Sequence, residues 1–208
     1  VSAVDGLVTD PAGVARCHWC GTDPLYVDYH DREWGRPVHD NDRLFEKICL
    51  EGFQSGLAWI TVLRKRDNFR AAFRGFGIEA VAAMGERDVT RLLGDAGIIR
   101  HRGKIEATIN NARCAAEMLE AGTDLAGHIW SFAPRAELGR EGAEWPVTTS
   151  PSAVALSKDL KRRGWRFVGP TTIYSFMQSM GLVNDHYAGC HVIDECETAR
   201  VETLSHEG

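Results

Sequence analysis

Apolar positions along this chain recur mostly three and four residues apart, the period of a buried helix face, and seldom alternate as in a strand. Leu44, Phe45, Ile48 and Cys49 form one such face, and Asp42 ahead of them is the expected N-cap. Gly52 and Gly56 interrupt the pattern, and Trp59, Ile60 and Leu63 open a second segment over 57–63. A third helix is expected from Asp67 through Phe69 and Phe73, ending near Gly75 and Gly77, with short helices around 79–84 and 88–93. The longest helix is predicted over 103–119, with Ile105, Ile109, Ala112, Ala116 and Leu119 as its buried stripe. The stretch 133–149 holds Pro134, Gly139, Gly142 and Pro146 and reads as a loop. Ser150-Pro151 and Gly169-Pro170 read as helix starts, because proline lacks an N–H that the first turn does not need. Asp124 also reads as a helix start. The prediction is an all-α protein with one core, or with two small lobes sharing one.

Composition narrows the class. No apolar run approaches the roughly 18 residues of a membrane span, and residues 1–16 lack a basic start followed by an apolar stretch. A cytoplasmic protein with no membrane partner is expected. Six cysteines in 208 residues are a poor disulfide framework for a chain with a sizeable core, so metal binding is the better reading. The net charge of −5 argues against a polyanionic partner, but its distribution changes that. Residues 60–113 carry eleven Lys/Arg against six Asp/Glu, and 158–166 carry five basic residues against Asp159 alone. The tail after Cys190 is acidic. A basic face on an acidic protein still attracts phosphates locally; solvated helix faces would look the same.

Two clusters carry chemistry. Between the helices at 88–93 and 103–119 lies a connection with Gly94, Gly97 and Gly103, accompanied by Arg100, Arg102 and Lys104. Glycine lets backbone N–H groups approach phosphate closely, and the helix start that follows adds a favourable dipole. This is the chemistry of a sequence-independent backbone clamp, although plain helix connections also use glycine. The second cluster joins the chain's two ends. Cys17 and His30 near one end, with His186 and Cys190 near the other, make the Cys2His2 set that closed structural zinc sites prefer. His186 and Cys190 are four apart, so one helical turn would bring them to one side. Asp185 is a candidate to orient a ligand imidazole. Cys20 and His191 are possible competing ligands, and a Cys/His nucleophilic pair is a weaker alternative without an oxyanion-hole signature.

Three long stretches complete the sequence pattern. Residues 17–35 contain Trp19, Tyr26, Tyr29 and Trp34 among the Cys/His candidates; 44–63 contain Glu51, Gly56, Leu57 and Trp59; 166–186 contain Gly169-Pro170-Thr171-Thr172, Tyr174, Asn184 and Asp185. Together with the glycine connection, they closely resemble the bacterial 3-methyladenine DNA glycosylase I family, over about 17–190. The connection resembles the hairpin of helix-hairpin-helix glycosylases, although it lacks their common Gly-x-Gly.

That resemblance implies a helix-hairpin-helix bundle with a zinc site joining the terminal regions. It implies one catalytic domain over 17–190, flanked by a 1–16 extension and an acidic tail over 191–208. It further implies an enzyme acting on double-stranded alkylated DNA; a monomer is expected. The enzyme would hydrolyse the N-glycosyl bond of a flipped 3-methyladenine, without lyase activity. Glu51 matches the base-recognition carboxylate; Tyr29, Trp59, Trp19 and Tyr26 match pocket aromatics. Gly56 and Leu57 match the turn that fills the gap in the duplex. Gly97, Arg100, Arg102 and Lys104 belong to the backbone anchor, with Lys104 expected on a phosphate rather than as a Schiff base. Cys17, His30, His186 and Cys190 match the ligands of one structural zinc. The chemistry is consistent: methylation at N3 makes the base cationic and a ready leaving group, so capture matters more than acid catalysis. Without the resemblance, Glu51 would read as a surface acid and the aromatics as ordinary core. A non-catalytic DNA-binding module and a zinc hydrolase with an open coordination position are the competing classes.

Overall fold

A computed structural model describes residues 6–135 and 147–206. Of the expected 133–149 loop, residues 136–146 lie outside the described part. The chain divides into two compact units, one built from Val1–Val38, Ala133–Glu141 and Met177–Gly208, the other from His39–Phe132 and Gly142–Phe176. The elements are helical apart from one small sheet. No helix among the described residues is long and apolar enough to cross a membrane.

The first unit opens with the sheet that the sequence pattern did not signal. β1 (Leu7–Thr9) pairs antiparallel with β2 (Ala15–Cys17), Leu7 opposite Cys17. Three-residue strands are too short to show a period. Asp10 closes their turn by accepting from the amides of Ala12 and Val14. The hairpin ends on Cys17, and a short 3-10 turn, His18–Cys20, leads towards α1 (Pro24–Arg32). Asp23 caps α1 and Pro24 occupies its first turn, the pairing that a helix start favours. The unit ends in α11 (Ile193–His206), so the acidic stretch after Cys190 is largely helical.

The second unit follows the predicted order closely. α2 (Asn41–Gln54), α3 (Trp59–Leu63), α4 (Arg66–Ala72), α5 (Ile78–Ala82) and α6 (Glu86–Gly94) lead to α7 (Arg102–Glu120) and α8 (Leu125–Trp130). α9 (Pro151–Arg162) and α10 (Pro170–Ser179) follow, with α10 running across the boundary of the two units. Ser150 and Asp124 cap α9 and α8 as expected, accepting from Ala153 and Gly127. The α2 cap differs from the prediction. Asp40 accepts from Arg43, while Asp42 reaches away to accept the Ile78 amide at the start of α5, 2.9 Å. A carboxylate in the first turn of one helix has thus been recruited to cap another, and both helices gain from it.

Phe53, Phe69, Phe73 and Phe76 stack in the core of this unit, with Leu44, Phe45 and Ile48 from α2. α7 buries Ile105, Ile109 and Ala112 as predicted. Further along, the fully buried positions are Ala115 and Met118, while Ala116 and Leu119 are half-buried. α2, α5, α6 and α8 all pack on α7, so its covered surface is wider than a single stripe.

Candidate functional site

The four cysteine and histidine candidates come together in the first unit. Cys17 arrives on the end of β2, His30 on the last turn of α1, and His186 and Cys190 on the loop between α10 and α11. All four are buried, and their ligand atoms lie within 4.8 Å of one another. Cys17 Sγ and Cys190 Sγ are each 3.5 Å from His186 Nδ1, and Cys190 Sγ is 3.5 Å from His30 Nε2. A tetrahedral zinc with S and N bonds of about 2.3 and 2.0 Å separates those atoms by roughly 3.5 Å. Two sulfurs and two imidazole nitrogens at that spacing fit such an ion.

The surrounding groups fit as well. His30 Nδ1 lies 2.8 Å from Asp31 and His186 Nε2 lies 3.2 Å from the Trp34 carbonyl, so each ring can donate away from the centre and keep a lone pair towards it. Asp185, the expected orienting residue, accepts from Gln178 at 2.8 Å. Asp31 does the work, and also holds Arg16 and His191. Burial alone would raise Asp31; the bonds from His191, His30 and Arg16 outweigh it and hold the carboxyl below its ordinary value. His191 is therefore spent on Asp31, and the Cys20 thiol donates to the Cys17 carbonyl. Neither belongs to the buried four-residue set, although His191 lies with His30 and Asp31 in a second group close enough to hold an ion. Burial pushes the Cys20 thiol up to about 11. Within the set, both cysteines are free, and the hydrogen bond that the Cys17 thiol donates to Cys190 raises Cys17 and lowers Cys190, with hydrogen bonds from the imidazoles adding to the lowering of Cys190. Gly35 lies so close to this centre that a Cβ there would stand 2.8 Å from His186 Nε2, and its φ of +83° suits glycine.

Of the predicted aromatics of the first unit, Tyr26 and Tyr29 lie on α1 with His30, and Trp19 lies on the 3-10 turn before it. Trp19 packs on Tyr26, Trp34 and the ligand His30, with ring centroids 5.2, 4.9 and 5.2 Å away. Tyr26 lies 6.3 Å from Tyr29. His30 of the Cys/His cluster and the aromatics Tyr26 and Tyr29 thus share α1, and Trp19 packs on both groups.

In the second unit Glu51 is buried on the last turns of α2. Burial pushes its carboxyl above the ordinary value, against the pull of Lys47. The Lys47 ammonium lies 3.0 Å from Glu51 Oε1 and 3.3 Å from the centre of the Trp59 ring. Lys47 was not singled out in the sequence; its place four residues before Glu51 on a helix was the available signal. Gly56 and Leu57 form the turn between α2 and α3. Gly56 has a φ of +85°, and Leu57 stands 41% exposed.

The glycine connection lies between α6 and α7. His101 caps α7 by accepting from the Lys104 amide. Arg100 is exposed, and Arg102 pairs loosely with Glu86 and Glu106 at the surface. Two expectations change here. Gly97 does not offer its N–H outward, because Asp95 accepts it at 2.7 Å; glycine is required for space, since a Cβ would lie 2.9 Å from that carboxylate. Lys104 does not reach outward for a phosphate. Its ammonium is buried and donates to the Phe53 and Ser55 carbonyls at 2.8 and 2.7 Å, and burial lowers its proton affinity. It ties the start of α7 to the turn that carries Leu57. Lys65 was missed by sequence reasoning; its ammonium holds the connection by donating to the carbonyls of Ala96 and Gly97.

The model of the methyladenine glycosylase family matches residues 19–193. DNA-3-methyladenine glycosylase 1 of Escherichia coli (strain K12) is 56% identical over 178 residues, 84% of this chain and 95% of the relative. Among solved structures, a 3-methyladenine DNA glycosylase I superposes with a TM-score of 0.80 at 52% identity, covering 85% of this chain and 98% of that one. A variant of a 3-methyladenine DNA glycosylase I, solved in complex with 3-methyladenine, superposes with a TM-score of 0.80 at 35% identity, covering 86% and 97%.

Proposed function

Because the chain belongs to the methyladenine glycosylase family, we propose that it hydrolyses the N-glycosyl bond of 3-methyladenine in alkylated double-stranded DNA. It flips the damaged nucleotide, releases the free base and leaves an abasic site. The observation that carries this reading is the buried Glu51 carboxylate beside the face of Trp59, with a positive charge already seated against both. A carboxylate and an aromatic face are the two groups that favour a cation over its neutral analogue. Tyr29, Trp19 and Tyr26 supply further stacking surface for the flipped base. Gly56 and Leu57 fill the space it leaves, with exposed Leu57 as the wedge.

Arg100, Arg102 and the first turn of α7 hold the phosphate backbone, with the helix dipole adding to the attraction. Gly97 shapes that anchor and Lys104 braces it. Lys104 is also unsuited to attack a sugar carbon, since its ammonium is bonded to two carbonyls; the enzyme is monofunctional. Cys17, His30, His186 and Cys190 hold one structural zinc, with all four positions of a tetrahedral ion filled by protein. Residues 17–190 form the catalytic domain, and the enzyme works as a cytoplasmic monomer.

The test is release of free 3-methyladenine from N-methylated duplex DNA by folded, zinc-loaded protein. Release is expected, with no strand cleavage by β-elimination. Absence of release above a heat-killed control overturns the reading. Glu51→Gln is expected to lower release about a hundredfold with zinc content unchanged.

A further inference from the structure

Lys47 and Glu51 lie one turn apart on α2, with side chains 7% and 4% exposed. Between the Glu51 carboxylate and the Trp59 ring, the Lys47 ammonium occupies the kind of place that a cationic base requires. We propose that Lys47 is a resident cation which a positively charged base exchanges with at Glu51 and Trp59, so that it sets specificity for cationic bases and promotes release of the neutral product. The proposal rests on Glu51 being the base-recognition carboxylate.

The argument is one of charge balance in a buried place. Lys47 carries its charge on a flexible four-carbon stem, so it can leave the carboxylate without a change in the backbone. A neutral base that took its place would leave the buried carboxylate facing no positive charge, which is costly. A base methylated at N3 replaces charge with charge. Both cations at once would crowd like charges around one carboxylate, which disfavours simultaneous occupancy.

The reaction then reverses the exchange. When the C1′–N9 bond breaks, its electron pair passes to the base and cancels the positive charge. Water supplies hydroxide to C1′ and gives up a proton. The released base is neutral, and the Lys47 ammonium regains Glu51.

A static role for Lys47, in which it only keeps Glu51 ionised and in place, predicts the opposite response to its removal. Lys47→Met keeps the stem and removes the charge. Free 3-methyladenine is titrated into the zinc-loaded full chain at about pH 9, which keeps the partnerless carboxylate ionised, and binding is followed by tryptophan fluorescence. Exchange predicts that the variant binds the free base about tenfold more tightly, because no resident cation competes. Product inhibition of base release strengthens by the same factor. Lys47→Arg, which keeps a cation, is expected to bind the free base as weakly as the wild type. Unchanged or weaker binding in a folded Lys47→Met protein overturns the exchange, and Lys47→Gln repeats the comparison if the Met variant does not fold. A wild type that releases 3-methyladenine, paired with a variant that binds it no better, refutes the exchange alone. A wild type that releases none refutes the functional reading and the exchange with it.

Discussion

Glu51 and Asp31 are both carboxylates in place among aromatic and histidine side chains, yet their surroundings push them in opposite directions. Asp31 is half-buried and gathers three donors; Glu51 is fully buried and has Lys47. A raised Glu51 carboxyl means that the folded protein holds that proton more tightly than the unfolded chain does. Its contribution to stability is full below the ordinary value near 4.5 and is lost as pH rises through the folded value. The melting temperature of the wild type, taken relative to Glu51→Gln, is therefore expected to decline as pH rises above about 4.5. A flat or rising difference would count against a carboxyl raised by burial. Asp31 answers to a different measurement. As the hydrogen-bond partner of His30, it fixes which ring nitrogen would face a metal, and Asp31→Asn is expected to weaken zinc binding roughly 10- to 100-fold, read by competition with a chelator. Glu51 and the four metal-centre residues were legible as candidates in the sequence. Asp31 was not, because nothing in the order Tyr29-His30-Asp31 says that this carboxylate, and not Asp185, turns back onto the imidazole.

At the scale of elements, buried polar side chains brace the connections that propensity leaves loose. Lys104 in the first turn of α7 satisfies carbonyls at the end of α2, where a helix leaves acceptors without partners. Lys104→Met is expected to lower stability by about 2 kcal/mol and to reduce base release from duplex DNA more than binding of free base, since the Leu57 turn loses its brace. Equal losses in both would reject that bracing role.

Asn111 acts similarly further along α7. Its buried amide donates to the Arg166 carbonyl and accepts the Arg166 N–H, at 2.9 and 2.8 Å. Ser157 bonds the Val168 carbonyl. Between these two fixed points Phe167 is held at a φ of +56°, rare for a bulky residue, and is 41% exposed. Asn111→Ala is expected to destabilise the protein by about 2 kcal/mol, as two backbone groups lose their partners; denaturant unfolding measures it.

The whole molecule is divided so that the two ends of the chain share one unit with the metal centre, while the glycine connection and Glu51 belong to the other. A zinc ion held by the four would close a loop of more than 150 residues, from Cys17 and His30 to His186 and Cys190, so its loss would be felt by the fold. About one zinc per chain is expected from metal analysis. Its removal is expected to lower the melting temperature by roughly 10 °C or more, given the usual folding energy of structural zinc. Loss of activity with an unchanged melting curve would point to a catalytic ion instead.

The sequence by itself determined the helical class, most helix starts and the family pattern, and it offered the four Cys/His residues that the fold brings together. These depend on residue type and local order: proline and capping residues act within one turn, and cysteine and histidine are the residue types that zinc prefers. Tertiary structure alone decided where long side chains point. Asp42 caps a helix 36 residues away, Lys104 turns inward where a phosphate contact was expected, and Lys47 fills the cation place beside Glu51. Each of those directions is set by which carbonyl, amide or carboxylate packing brings near, and by the high free energy of leaving a buried charge without a partner.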